Sequence, residues 1–373
     1  MEVKIQNRDL RSRALRSVFS DNPDSSSFGP IGHIAPVSAN RLKGLIGYVE
    51  DVRQDGRIAP IENGKHAEFI GEVVREGIAR LRASPDRTRL SIRTIVQNNA
   101  LNDLDAAVRS AGAQIESKIP VNEDYVMAYI GYNAPERALS SEREAEFNDT
   151  INGAILQHGY EKASLATLAR DIRSNSDNYS IRIIDGNRRV VSSAELASIY
   201  TLLGTFGYNS EQARAALFNE NNMVGLVYEN SGTSRRVVGI SITERRGITL
   251  SDGTSLHIAE VTDGTVSKAA NGRSLYSRLL LELFRHIILN RPDLSLIFGE
   301  SNISSDSLLK SAALQGRSFE GLLPNHALIK NRNTGQLELK SFVVTYLTRE
   351  QLIESVVNVD NALAMQLQKA ARS

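Results

Sequence analysis

The sequence predicts an α+β or mixed α/β fold made of two related domains. Two observations support this prediction. Apolar residues at helical spacing alternate with short apolar runs typical of strands, and one set of helix, turn and strand signals occurs twice in the same order. At 373 residues the chain is long enough for two or three domains, each with its own core.

The repeated signals begin at an Asn-Gly pair that precedes an apolar helix. In the first copy Asn63-Gly64-Lys65 opens the helix, Pro85-Asp86 follows it, and a strand covers 90–96. The second copy has the same signals in the same order. They are Asn271-Gly272-Arg273, Pro292-Asp293 and a strand at 294–298.

The spacing of the two copies also agrees. From the Gly to the Pro is 21 residues in the first copy and 20 in the second. Each copy then predicts a helix that ends at a glycine, Gly112 or Gly316, and a strand that begins after a proline, Pro120 or Pro324. We therefore expect an internal duplication.

A longer segment precedes the second copy alone. It predicts helices at 193–204 and 210–219, each beginning at a serine cap, and strands at 223–229, 237–243 and 257–261. Helices followed by antiparallel strands and then by alternating strands and helices indicate a mixed sheet flanked by helices.

Turn-forming residues divide the chain. The segment 20–30 is rich in Ser, Asp, Gly and Pro, so residues 1–30 are predicted to be an N-terminal helix and a linker. A second break is expected between 132 and 149. The predicted domains are 31–145, which lacks the early helices, and 146–373, which is complete.

Composition excludes several classes of function. The chain has 44 Lys and Arg against 43 Asp and Glu, a formal charge of +1, so nucleic acid is not an expected partner. It has no Cys, and its six His include no His-x-x-x-His pair, so no metal site is expected. Chemistry must rest on carboxylates, hydroxyls, His, Tyr and backbone amides.

Targeting and membrane signals are not found in the sequence. No apolar core follows the charged first residues, and no run of 18 uncharged apolar residues occurs. The most apolar stretch, 279–288, contains Glu282, Arg285 and His286. We expect a cytoplasmic protein that does not bind membranes, and the sequence makes no prediction of its oligomeric state.

The turn at 270–274 is a candidate phosphate site. It joins a strand that ends near Val261 to the apolar helix of the second copy. A helix N-terminus has free N–H groups and a positive dipole end, so it can hold a phosphate or pyrophosphate. Lys268 and Arg273 would add charge-assisted contacts. A plain capped turn is the alternative interpretation.

The order of these elements, together with two short tracts, resembles the GCN5-related N-acyltransferase (GNAT) superfamily. The tracts are Asn302-x-x-Ser305 and Gly316-Arg-Ser-Phe-Glu-Gly-Leu-Leu-Pro-Asn325. The resemblance covers about 181–347, and a truncated, degenerate copy covers about 45–132. It implies a GNAT-like twisted mixed sheet flanked by helices, with the second domain as the acyl-CoA-binding one.

The resemblance also implies roles for individual residues. The pyrophosphate of acetyl-CoA or another acyl-CoA would lie on the turn, the pantetheine arm would run beside the strand near Val261, and Asn302 would bond that arm. The turn residues concerned, with the flanking Lys268, are Asn271, Gly272, Arg273 and Ser274. The chain departs from the family pattern at Ala269, at Ser274 and at Leu309, where a Tyr is often found.

A carboxylate on a strand that faces a partly dry cleft can accept the proton of an acceptor ammonium, directly or through water. Glu260, next to Val261, fits this role, and Glu300 is the second choice; a solvent-facing strand residue is the alternative for each. Backbone N–H groups near Val261 would polarise the thioester oxygen. Three side chains are possible proton donors: Tyr276, Ser311 and Tyr346.

The sequence therefore favours an N-acyltransferase that moves an acetyl or other acyl group from acyl-CoA to the amine of a small molecule or amino-acid derivative. Two alternatives stay open. One is a GNAT-like interaction or ligand-sensing module without catalysis, and the other is a FemX-like aminoacyl transferase, which has the same fold and does not use CoA.

Overall fold

A computed structural model gives the fold of the chain. It describes residues 34–36, 44–49, 53–54, 57–58, 63–83, 88–135, 138–158, 162–174, 178–186, 191–205, 208–231, 234–249, 254–262, 264–271, 273–330 and 336–371. The predicted N-terminal helix and linker at 1–30 and the glycine at 272 lie outside these residues. Within them, no helix combines the length and the apolar character needed to cross a membrane.

The first unit is a five-stranded sheet with two helices. Its strand order is β1-β2-β5-β7-β6, where β2 and β5 are parallel and the other neighbours antiparallel; β3 and β4 form a separate pair. The strands are β1 (Ile34–Pro36), β2 (Gly44–Val49), β3 (Arg53–Gln54), β4 (Arg57–Ile58), β5 (Arg89–Gln97), β6 (Gln114–Pro120) and β7 (Tyr125–Asn133). The helices are α1 (Asn63–Arg82) and α2 (Leu101–Ser110).

The second unit begins with four helices and one strand. The helices are α3 (Ser141–His158), α4 (Lys162–Ser174), α5 (Ser193–Gly204) and α6 (Ser210–Phe218), and the strand is β8 (Tyr179–Asp185). Three antiparallel strands and a short one follow: β9 (Asn222–Ser231), β10 (Ser234–Thr249), β11 (Ser255–Val261) and β12 (Thr265–Val266). The rest is α7 (Leu275–Asn290), β13 (Leu296–Asn302), α8 (Asp306–Leu314), β14 (Ser318–Lys330), β15 (Leu337–Thr348) and α9 (Arg349–Ala371).

The strands of the second unit form one mixed sheet in the order β14-β15-β13-β11-β10-β9-β8, with β12 paired to β10. The β11–β13 pair is parallel and the other neighbours are antiparallel. Helix α7 lies on one face, where Leu280 and Phe284 pack with Ala259 and Val261. The predicted mixed α/β class, with a mixed sheet flanked by helices, is confirmed.

The two units share a topology in the part that repeats in sequence. The path β2-α1-β5-α2-β6-β7 has the same order and the same strand directions as β11-α7-β13-α8-β14-β15. The helices α2 and α8 are each followed by a glycine with positive φ, Gly112 at 88° and Gly316 at 65°, as the sequence signals predicted. A duplication and the boundaries at 31–145 and 146–373 stay predictions.

Some predicted element bounds were wrong. Pro120 ends β6 and Pro324 lies inside β14, whereas the sequence placed both before a strand. Both strands are edge strands, and an edge strand tolerates a residue that lacks an N–H. The cap of α5 is Ser192 and not Ser193; its hydroxyl accepts from the Glu195 N–H, and Glu195 accepts from the Ser192 N–H.

The two sheets pack against each other through the faces that α1 and α7 do not cover. One core joins them, and within it Tyr129 and Phe298 meet edge to face with ring centroids 6.4 Å apart. The other main members of this core are Ile95, Ile119, Met127, Ile258, Leu296, Leu323 and Val344. The first unit therefore covers the face of β11, β13 and β15 that is opposite α7.

Gly321 allows β14 and β6 to approach closely. Its φ is +68°, and a Cβ at this position would overlap the carbonyl oxygen of Glu116 and lie 2.6 Å from Cβ of Ser117. The hydroxyl of Ser117 donates to the carbonyl oxygen of Glu320 at 3.0 Å. The Phe-Glu-Gly tract of β14 thus contacts β6 of the first unit.

Gly321→Ala is expected to lower the free energy of unfolding by about 2 to 5 kcal/mol, because it adds both backbone strain and overlap. Gly153→Ala is the matched control: it lies inside α3 with no atom within 4 Å of the new Cβ, so a gain of about 0.5 to 1 kcal/mol is expected. Urea denaturation measures both. Equal effects of the two substitutions would contradict the close approach.

Candidate functional site

The two predicted catalytic carboxylates lie on neighbouring strands and on one face. Side chains alternate along a strand, so Ala259 and Val261 point to the α7 core and Glu260 points to the first unit. Phe298, the partner of Glu260 across the parallel pair, and Glu300 share that face of β13. The structure thus brings Glu260 and Glu300 together, on the face opposite α7.

Arg93 of β5 joins the two carboxylates. Its Nη1 donates to Oε2 of Glu260 at 2.5 Å, and its Nη2 donates to Oε1 of Glu300. The guanidinium is 4% exposed and stacks over the rings of Tyr129 and Phe298, at 4.9 and 5.7 Å. The solvent-facing alternative for Glu260 is therefore wrong, since this residue is buried between the units.

His326 extends the cluster to a second arginine. Nε of Arg89 lies 3.0 Å from Nδ1 of His326, and Nε2 of His326 lies 3.0 Å from Oε2 of Glu300. An arginine N–H can only donate, so Nδ1 accepts from Arg89 and Nε2 donates to Glu300. Arg89 also pairs with Glu116 at 2.6 Å.

Carboxylates outnumber guanidiniums in this cluster. Among the described residues it contains three carboxylates and two guanidiniums, and His326 lies between one of each. The members are Arg89, Arg93, Glu116, Glu260, Glu300 and His326. Several carboxylates on one face favour a ligand with a positive charge.

The environment of Glu300 determines its protonation. Burial by itself raises the pKa of this carboxyl, but the facing His326 and Arg93 more than offset it and hold the pKa of Glu300 well below its ordinary value. Glu300 is therefore ionised near neutral pH and is a weak base. Binding of a positive charge is therefore a more suitable role for Glu300, the second predicted catalytic residue, than abstraction of a proton.

The turn that precedes α7 lies on the other face of the sheet. Lys268, Asn271 and Arg273 are exposed there, after the short 3-10 helix Lys268–Ala270. The guanidinium of Arg273 packs over the ring of Tyr179, with its carbon 5.4 Å from the centroid, and donates to the Tyr179 hydroxyl. The predicted anion-binding residues thus form an exposed basic turn that is separate from the glutamates.

Ser274 begins α7 in the left-handed region, with φ 53° and ψ 20°. Its hydroxyl donates to Oδ2 of Asp171 on α4 at 3.0 Å. A non-glycine residue here is strained, and this hydrogen bond gives a reason for serine over glycine. Asp171 places a carboxylate near the predicted phosphate site, which the sequence pattern did not indicate.

The parallel pairing of β11 and β13 ends at Val261 and Gly299. After Val261 the chain continues along β10, where the N–H of Thr262 donates to the carbonyl oxygen of Ile242 at 2.8 Å, while β13 continues to Asn302. A Cβ at Gly299 would lie 2.8 Å from the Val261 carbonyl oxygen. Val261 and Asn302 therefore flank the place where the two strands stop pairing.

Asn302 ends β13 at the same edge as Glu300. Its side-chain oxygen accepts the N–H of Ser304 at 2.9 Å and so shapes the turn into α8. Leu309, which stands where the family often has Tyr, is fully buried in a core with Ile151 and Val343. Among the described residues, no group of three or more His, Asp or Glu is arranged to hold a metal ion.

Sequence reasoning missed the two arginines of β5. Arg89 and Arg93 are four residues apart in a buried strand, so both point to one face. Two arginines on one face of a buried strand signal carboxylate partners, but the sequence does not say which ones. A groove along α3, lined by Glu142, Glu146 and Asp149, contains none of the predicted site residues.

No protein-family model and no curated protein matches the chain. Among solved structures it is similar to Arabidopsis thaliana NAA60 in complex with acetyl-CoA, with 11% identity over 46% of this chain and 99% of that one and a TM-score of 0.38. The NatC complex bound to Gag peptide and CoA matches with 13% identity over 46% of this chain and 98% of that one, and the TM-score is 0.36. The ribosomal-protein-S18-alanine N-acetyltransferase from Escherichia coli matches with 13% identity over 45% of this chain and 94% of that one, and the TM-score is 0.33.

The resemblance to GNAT acyltransferases that the sequence predicted is thus confirmed as a likeness of fold over about 46% of the chain. Identities of 11 to 13% and TM-scores below 0.4 carry no inference about activity or substrate. The chemistry of this chain has to be argued from its own residues.

The pH dependence of unfolding tests the cluster. Because the pKa of Glu300 is lowered in the folded state, its stabilisation is fully present above the unfolded value of 4.5 and is lost as the pH falls below it. Wild-type stability should therefore drop more between pH 5.5 and 3.5 than that of Glu300→Gln. Urea midpoints at a series of pH values measure this difference, and parallel pH profiles of the two proteins would contradict the assignment.

Proposed function

We propose that this chain is an N-acyltransferase that transfers an acetyl or other acyl group from acyl-CoA to the amine of a small molecule or amino-acid derivative. The observation that supports this most is the end of the parallel pairing at Val261 and Gly299, with a basic helix start on one face of the sheet and the carboxylates of Glu260 and Glu300 on the other. Two reactants that approach from opposite faces would meet at this point.

The exposed turn before α7 is the proposed binding site for the CoA pyrophosphate. Lys268 and Arg273 supply positive charge, and the first N–H groups of the 16-residue helix α7 have no intrahelical acceptor. Asn271 and Gly272 belong to the same turn. The pantetheine arm is proposed to follow the strand near Val261, with Asn302 as a hydrogen-bonding partner.

The face that the first unit covers is the proposed acceptor side. The three carboxylates of the cluster around Arg93 favour a ligand with a positive charge, which an amine has before it reacts. Glu300, held ionised, is suited to bind this ammonium. Arg93 fixes the position of both carboxylates and is a positioning residue.

Glu260 is the proposed general base. Acyl-CoA supplies a thioester carbonyl that is activated for attack. The acceptor ammonium loses one proton to Glu260, directly or through water, and its nitrogen bonds to the acyl carbon. The C–S bond breaks with its electron pair on sulfur, the second proton of the nitrogen passes to that sulfur, and Glu260 releases its proton to solvent. Oε2 of Glu260 accepts from Arg93, so the acceptor has to loosen this pair as it binds.

A second candidate from another class is a ligand-binding module without catalysis. The pairing of both carboxylates with Arg93 favours it, because buried ion pairs also serve structure alone. In that case CoA or another ligand would bind and no acyl transfer would follow.

Binding of CoA tests the first part of the proposal. Acetyl-CoA at a hundred times its dissociation constant should raise the free energy of unfolding by roughly 2.7 kcal/mol. The double substitution Lys268→Ala and Arg273→Ala should weaken binding about tenfold or more, because it removes two charge-assisted contacts. Isothermal titration measures the affinity, and Arg109→Ala, at an exposed arginine of the first unit, is the control. No binding of millimolar CoA by the wild type would contradict the proposal.

Turnover tests the second part. Glu260→Gln keeps the shape of the side chain and removes its basicity, so it should lower kcat by a factor of about 100 or more with little change in acetyl-CoA affinity. Release of free thiol in the presence of a panel of primary amines measures the rate. CoA binding without transfer to any amine supports the ligand-binding module, and an unchanged kcat in the variant removes Glu260 as base.

A further inference from the structure

Arg317 is a buried cation between α8 and β14 that the proposed mechanism does not use. Its side chain is 8% exposed. Nε donates to Oε1 of Gln315 at 3.0 Å, Nη1 donates to Oγ1 of Thr345 at 3.3 Å, and the guanidinium stacks over the Phe284 ring at 5.5 Å. All these partners are neutral.

The charge of Arg317 has no counterion among the described residues. No carboxylate of the described residues forms an ion pair with Arg317, and its Nη2 is buried without a hydrogen-bond acceptor. Burial lowers the pKa of Arg317, and the nearby Tyr276 acts in the opposite direction. A guanidinium nevertheless stays protonated, so the fold contains a positive charge that lacks a partner.

This charge lies at the point where β11 and β13 stop pairing. Nη1 is 3.5 Å from the Cβ position of Gly299, and the same position is 3.7 Å from Cβ of Val261. The Thr345 hydroxyl donates to the carbonyl oxygen of Gly299 at 3.3 Å. Arg317 therefore lies on the α7 face, directly over the last paired residues of the two parallel strands.

Polar side chains connect Arg317 to the first turn of α7. The hydroxyls of Ser277 and Ser311 are 2.9 Å apart, and Nε2 of Gln315 donates to the Ser311 hydroxyl at 3.0 Å. All three are buried. Such polar groups cost stability in a helix-sheet core, and apolar residues would fill the space more favourably. A chain of buried polar groups that ends in an unpaired cation is typical of a ligand site.

We propose that Arg317 binds a carboxylate at the far end of the acyl group, so that the donor is a thioester of a short dicarboxylic acid such as malonyl- or succinyl-CoA. This proposal rests on the proposed function and narrows it to a donor class. A carboxylate supplies both the missing counterion and an acceptor for Nη2. An acetyl group supplies no counterion. Arg317 is buried and close to Val261 and Gly299, which suits a short acyl tail, while the phosphates have the exposed turn at Lys268 and Arg273.

The test compares affinities for succinyl-CoA, malonyl-CoA and acetyl-CoA by isothermal titration. The wild type should bind one of the dicarboxylic donors at least tenfold more tightly than acetyl-CoA. Arg317→Met should lose this preference and keep its acetyl-CoA affinity, because the substitution leaves the turn before α7 intact. Arg214→Met, at an exposed arginine of α6 that stacks on Phe218, should keep the preference.

Thermal unfolding separates loss of the site from loss of the fold. Since Arg317 lacks a counterion, Arg317→Met should unfold at the same temperature as the wild type or a higher one. Arg317→Lys keeps the charge and should retain part of the preference. Equal wild-type affinity for acetyl- and dicarboxylic donors, or an unchanged preference in Arg317→Met, would overturn the inference and leave the transferase proposal standing.

A second measurement separates the inference from the proposed function. If no CoA thioester binds, the transferase proposal fails, and free succinate and malonate then test Arg317 alone. Millimolar succinate or malonate should raise the melting temperature of the wild type and not that of Arg317→Met. Equal shifts in the two proteins, or no shift in either, would overturn the anion subsite itself.

Discussion

The arrangement of the second unit depends on a parallel strand pair that is only four residues long. β11 and β13 pair from Ile258 and Leu296 to Val261 and Gly299, and the chain then stays with β10, through β12, without β13 beside it. A strand that stops pairing exposes backbone groups and a gap in the sheet. Helix α7 follows β12 and a short 3-10 helix, so the helix start that we propose for anion binding and this gap belong to one connection between β11 and β13.

The packing of the two sheets determines what the other face can do. The first unit covers β11, β13 and β15 with an apolar core, and Arg93 enters this core to meet Glu260 and Glu300. A buried ion pair contributes little net stability, but the loss of one partner is costly. The pair therefore fixes how the two units meet, and in our proposal it also holds the acceptor-side carboxylates in place.

Local patterns were enough to predict much of the fold. Helical periodicity predicted α5 and α7, and the glycines expected at the ends of α2 and α8 follow those helices with positive φ. The prolines were misleading, because Pro120 and Pro324 are compatible with edge strands as well as with strand starts. Whether a strand lies at an edge depends on tertiary pairing, which a single sequence does not display.

The site was predictable only in part, for a similar reason. Glu260 and Glu300 were identified from their strands, yet their partner Arg93 is 167 and 207 residues away in the chain. The unpaired charge of Arg317 was not visible at all, because Arg317 differs from a surface arginine only by its burial over Gly299. Long-range contacts determine the electrostatics of both clusters, whereas local spacing determines the elements that hold them.

Hydrogen–deuterium exchange of the full chain with and without CoA tests the central claim most directly. CoA bound where β11 and β13 stop pairing should slow exchange in the turn at 268–274, in the first turn of α7 and at 299–305, with little change in α1 and α2. Protection confined to other segments, or none at saturating CoA, would contradict the account.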